Sequence, residues 1–145
     1  MATLIDIADA VVAEMNDHTF SQPVTAQRLY RPVFDLADMK ALHVSVVPKG
    51  VEMQGASRTV VQHDYQIDVG VQKKLPTSPS GDNAEIDALM ALVEEIADFF
   101  RQRRLQAMPN AVWVQTQNLP IYSPEHLEQL RQFTSVLTLT FRVLR

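Results

Sequence analysis

The chain has 145 residues, no cysteine, and thirteen basic against seventeen acidic side chains, for a net charge of −4. An apolar share of 46% and a charged share of 21% are ordinary globular values, and the length suits one core, so residues 1–145 read as a single domain. The composition argues against a disulfide framework, a thiolate metal centre, a membrane span of ~20 apolar residues and duplex binding through a broad cationic face.

Leu4, Ile7, Ala8, Val11, Val12 and Met15 recur at helical spacing, which predicts a first helix over Leu4–Asn16 with Thr3 and Asp6 as a capping pair. Acids in this segment, where an export signal carries basic residues, argue against a signal peptide. Thr25–Val33 is expected as a strand, with Pro32 near an edge or strand end, and Asp35–Lys40 as a turn. Ala41–Val47 follows as a second strand, with Leu42, Val44 and Val46 on one face and Pro48 as its stop. Pro48–Ser57, carrying Gly50 and Gly55, is then expected as a wide hairpin tip.

Arg58–Lys74 holds a period of two over most of its length, with Val61, His63, Tyr65, Ile67, Val69 and Val71 on one face. At ~3.3 Å per residue it would span roughly 55 Å. A compact chain of this length has a diameter of only about 38 Å. The strand therefore overshoots its globule or bends at a bulge near Gly70, and an overshooting hairpin arm is a means of gripping a neighbour.

Leu75–Asn83 is rich in proline, serine and glycine and reads as a loop. Asp82 as N-cap and Glu85 three residues on predict a helix with Ile86, Leu89, Met90, Val93, Ile96, Ala97 and Phe100 buried. Its end is expected near Arg104, with Arg101, Arg103 and Arg104 complementing the helix dipole. Ala111–Thr116 reads as a strand, and Ser123-Pro124-Glu125 opens a short helix over Glu125–Leu130. The last strand is Phe133–Arg145, with Phe133, Ser135, Leu137, Leu139, Phe141 and Val143 on one face. The order predicts an α+β fold: an antiparallel sheet with two main helices packed on one face and a long protruding β-hairpin.

Chemistry-bearing motifs are sparse. His18, His43, His63 and His126 match no metal-ligand spacing, and His63 and Asp64 alternate to opposite faces of a strand. Asp64 and Asp68 share a face but lie roughly 13 Å apart at strand rise, too far to clasp one cation. Neither a phosphate loop nor a nucleophile elbow is present. Trp113, between Val112 and Val114, reads as core or interface. The helix–strands–helix–strand order also fits restriction-type metal-dependent nucleases, with Asp64 or Asp68 and Gln72-Lys73-Lys74 as the site elements. In this sequence they all fall on one predicted strand, and Gln72 stands where a carboxylate is required. No catalytic, cofactor or metal residue is therefore assigned.

The segments VVPKGVE, HDYQIDVGVQKK and NAEIDALMALVEEIADF, the hairpin Leu42–Lys74 and the terminal QFTSVLTLTFRV together resemble the tail terminator (tail completion) proteins of long-tailed bacteriophages and prophages, across nearly the whole chain. The resemblance implies a virion structural protein and not an enzyme: a homohexameric ring that caps the tail tube, ends its polymerisation and offers the head-tail joining surface. The implied partners are further copies of the chain, the tail tube protein and a head-side connector or stopper. Genomic DNA would pass without specific binding, and no membrane or cofactor is involved. The implied location is the head-proximal end of the virion tail, assembled in the bacterial host cytoplasm. A neck adaptor or a tail-tube-like protein is the nearest alternative.

A closing ring needs two different complementary surfaces on each subunit, and long strand edges supply places for strand addition. Candidate subunit or tail-tube contacts are Lys49, Val51, Glu52, Met53, Gln54 and Arg58 on the hairpin, with Val51 and Met53 as apolar anchors. Thr138, Thr140 and Arg142, on the second face of the last strand, complete the set.

Overall fold

Two amphipathic helices and two long alternating runs determine the architecture. The computed structural model describes residues 3–30, 41–75 and 82–145. Its elements in chain order are α1 (Thr3–Asn16), β1 (Ala26–Arg28), β2 (His43–Gly55), β3 (Val61–Lys74), α2 (Asp82–Phe100), β4 (Val112–Gln117), α3 (Pro124–Leu130) and β5 (Gln132–Leu144). The strands form one five-stranded sheet in the order β1-β2-β3-β5-β4. All its pairings are antiparallel except β1 with β2, which is parallel. The exception follows from chain length: residues 29–42 separate the two strands, enough for the crossover of a dozen or so residues that parallel pairing requires.

The two long helices cover one face of the sheet. Val44, Val46, Tyr65, Ile67, Val69, Val71, Phe133, Leu137, Leu139 and Phe141 share the face that meets Ile7, Val11, Met15, Leu89, Leu92, Ile96 and Phe100 of the two long helices. α1 lies over β1–β3 and α2 over β5. Asn16 fixes the end of α1 to the sheet, because its side chain accepts from the Ala26 N–H at 2.8 Å and donates to the Ala26 carbonyl at 3.2 Å. Residues 18–22 then strap α1 to α2. His18, Phe20 and Phe99 form an aromatic cluster with centroids 4.4–5.5 Å apart, and Ser21 donates to the Glu95 carboxylate.

Three expectations change. The tip is not Pro48–Ser57: β2 runs through Pro48 to Gly55, and the turn is residues 56–60. Pro48 sits next to a β-bulge at Lys49, where the register slips between Pro48 and Gly50. β1 no longer flanks β2 there, so the missing N–H costs no ladder bond. The bulge is thus in β2 and not at Gly70, which pairs regularly with Ser45 and Val136. Arg58 correspondingly lies in the turn, and β3 starts at Val61. Secondly, α2 starts at Asp82, where a helix was expected to start, but it ends at Phe100 and not near Arg104. Gln102 adopts a left-handed φ of 58°, so the arginines follow the helix instead of forming its last turn. Thirdly, the first strand shortens to Ala26–Arg28. The expected turn Asp35–Lys40, Pro32 and most of the loop Leu75–Asn83 lie outside the described residues.

α3 follows its sequence signals closely. Ser123 is the N-cap, its hydroxyl accepting from the His126 N–H, and Pro124 occupies the first turn.

Candidate interaction surface

The expected hairpin contacts gather on one feature. From Gly50 to Gly55, β2 extends roughly 17 Å at strand rise. Residues 51–59 form a continuous exposed stretch that neither α1 nor α2 covers. Here β2 pairs only with β3, so its other edge has no strand partner among the described residues. The arm is nevertheless stiff. β5 runs alongside β3 as far as Gln62↔Leu144, and Val61 and Arg145 exchange backbone bonds of 2.8 and 3.0 Å. At the tip, Ala56 and Ser57 donate to the Val60 carbonyl, and the Ser57 hydroxyl accepts from the Val60 N–H, so the side chain braces the turn.

The bulge at Lys49 decides which side chains face which way. Before it, even-numbered residues of β2 face the helices; after it, Val51 opposes Tyr65 and Met53 opposes His63, so odd-numbered ones do. Val51 and Met53 therefore lie on the apolar face of the sheet but beyond the helices, 46% and 64% exposed. Glu52 and Gln54 turn to the opposite face, and Lys49 and Arg58 are exposed with no ion pair among the described residues.

The β5 candidates behave differently. Arg142 holds both oxygens of Asp64, at 2.8 and 3.1 Å, and the Thr138 hydroxyl donates to Asp68 at 2.7 Å. Thr140 is only 8% exposed. The polar contacts of Arg142 and Thr138 are thus made across β3 and β5 of one subunit.

The hydrogen bonds from Arg142 hold the Asp64 carboxyl below its ordinary value of 3.8. A lowered folded-state value means that the pair's contribution is fully present above the unfolded value and is lost as pH falls below it through the folded one. Asp64→Asn is expected to flatten this acid limb of a stability–pH curve. At neutral pH it should cost at most about 1 kcal/mol, since the pair is partly open to solvent. Urea midpoints at pH 3 and pH 7 check both points.

A second surface lies at the other sheet edge. α2 does not close down on β4, and a groove of about 600 Å³ separates them. Met90, Ala97, Trp113 and Ile121 provide its apolar lining. Asp87, Glu94 and Asp98 stand exposed along the α2 side, with Arg101 the single cation of the lining. None of these acids has an ion pair among the described residues. Trp113 is held by its indole N–H, which donates to the Thr116 hydroxyl at 2.8 Å. Sequence reasoning had marked Trp113 but missed the groove. Its acids fall at i, i+7 and i+11 on α2, a spacing that reads equally as an ordinary solvated stripe.

On the outer face, Ser45 Oγ and Gln72 Oε1 are buried with no hydrogen-bond partner among the described residues. Removing an unsatisfied buried hydroxyl relieves its desolvation cost. Ser45→Ala is accordingly expected to be neutral or to stabilise by up to about 1 kcal/mol, read as a higher urea midpoint.

Among the described residues, no group of three His, Asp or Glu side chains is placed to hold a metal ion. In comparisons with known proteins, the chain matches no family model and no curated sequence.

Proposed function

We propose that the chain is a ring-forming assembly subunit of the phage tail-terminator kind, which caps a tail tube, ends its growth and presents the joining surface for a head-side connector. The observation that carries this reading is the stiff, helix-free arm, with apolar Val51 and Met53 exposed on an open strand edge. A long apolar edge left bare is an aggregation hazard, and an edge with a dedicated partner is not. The sequence resemblance supplies the kind of assembly, and the arm supplies a physical means of making it. A neck adaptor or tail-tube-like role would use the same arm against a different partner.

The nuclease reading loses support from side-chain placement. Arg142 occupies Asp64, Thr138 engages Asp68, and Lys73 lies on the opposite face paired with Glu85 at 2.5 Å. Lys74 shares the face of Asp68 but is six residues away, roughly 20 Å at strand rise.

Light scattering after size exclusion across a concentration series, with negative-stain images of the same fractions, tests the proposal. The expected species is a closed ring of about six subunits. A strict monomer that also fails to bind purified tube ends would overturn it.

A further inference from the structure

The arm and the groove are complementary, and they sit at opposite edges of one sheet. We infer that the arm of one copy seats in the α2–β4 groove of the next copy, with Val51 and Met53 against the apolar lining and Lys49 and Arg58 toward Asp87, Glu94 and Asp98. This assignment rests on the assembly reading above and names the contact that would perform it.

Three observations converge on a second copy as the occupant. The first is charge. Residues 49–58 carry two cations and one acid, while the groove carries three acids and one cation, and none of these acids is ion-paired among the described residues. Opposed unpaired charges of this kind steer association and fix register. The second is apolar match. Val51 and Met53 are exposed beyond the helices, and the groove exposes Met90, Ala97, Trp113 and Ile121 beside β4. Aromatic and methionine side chains are favoured at the buried centre of an interface. The third is reach. β3 and β5 separate β2 from β4, roughly 14 Å at three strand spacings. The pairing with β3 runs to Gly55↔Val61 and holds the arm straight, so it cannot fold back into its own groove. A donor and an acceptor that differ, on one rigid subunit, make a heterologous contact, which closes into a ring when the rotation permits.

The absence of cysteine makes the contact directly testable. Met53→Cys chains are mixed with Ala97→Cys or Ala91→Cys chains and oxidised, and each variant is also oxidised alone. Masses of the unoxidised mixtures are measured by light scattering. A disulfide formed in the mixture, and absent when either variant is alone, is the expected result. Closed oligomers without that disulfide would discard the groove as acceptor while leaving ring assembly intact. Disulfides in Met53→Cys alone would indicate arm-to-arm packing and overturn the assignment. A monomer with no disulfide would overturn the arm-in-groove contact, and the assembly reading would fall with it if that monomer also failed to bind purified tube ends. As an independent check, Glu94→Lys with Asp98→Lys should raise the concentration for half assembly about tenfold, through like-charge opposition to Lys49 and Arg58. Adding Lys49→Glu and Arg58→Glu to the same chain should recover most of that loss. A double reversal that recovers nothing would count against the charge pairing.

Discussion

Val51→Asp combined with Met53→Asp is expected to abolish self-assembly and leave a folded monomer. Both side chains are exposed within the subunit, so the fold loses only the small strand preference of aspartate, about 1 kcal/mol. Two carboxylates at the centre of a contact are another matter. Without partners they would cost several kcal/mol, enough to weaken association by roughly a hundredfold or more. Light scattering reads the assembly, and circular dichroism with a thermal melt reads the fold. Unchanged mass at unchanged concentration would show that the arm takes no part in the interface. Loss of mass together with loss of the melt would be uninformative for the arm, so Val51→Ser with Met53→Gln serves as the milder pair. It should weaken assembly and leave the melt in place.

Phe141→Ala should have the largest effect on the fold itself. Phe141 is 0% exposed, and the register sets it between Tyr65 of β3 and Trp113 of β4 on the helix-facing side. Truncating a buried phenylalanine costs about 3–5 kcal/mol, a large part of the 5–15 kcal/mol that holds a typical domain together. The urea midpoint should fall sharply with the slope unchanged. Leu144→Ala, on the other face and 59% exposed, should stay within about 0.5 kcal/mol and serves as the control. Phe141 also backs Trp113, a wall of the groove, so a partly stable variant is expected to assemble more weakly than its stability alone would dictate.

The elements that were legible in the sequence are those in which a local pattern ran without interruption. α1, β3 and β5 appear within a residue or three of their expected bounds because their apolar periods persist for many residues. α3 was legible because Ser123 and Pro124 do in space what such residues do locally. The distal half of β2 was not. Pro48, Gly50 and Gly55 are breakers in isolation, and only the edge position and the slip at Lys49 make them compatible with a strand. The end of α2 was misread for a tertiary reason. Arg103 leaves the helix to stack 3.8 Å over the Phe99 ring and to pair with Glu14 of α1 at 3.2 Å. A dipole argument confined to one helix has no access to either contact. The parallel pairing of β1 was equally hidden, since the strand has three residues and no pattern of its own. As for the candidate surface, the exposed arm residues were found from sequence, but their orientation and the groove required the register.

The one-residue slip at Lys49 should leave a signature in a saturation mutagenesis scan. Along β2, polar replacements should be rejected at even positions up to Pro48, because Val44 and Val46 face the core. Past the slip the sensitive positions should switch to odd numbers, Val51 and Met53, and the readout should switch with them from abundance of folded protein to yield of assembled particles. Deleting Lys49 alone would remove the unpaired residue and leave a single parity along the strand, with Val51 still opposite Tyr65 and Met53 still opposite His63, so the sides of the arm should be kept and only the local bend at the bulge lost.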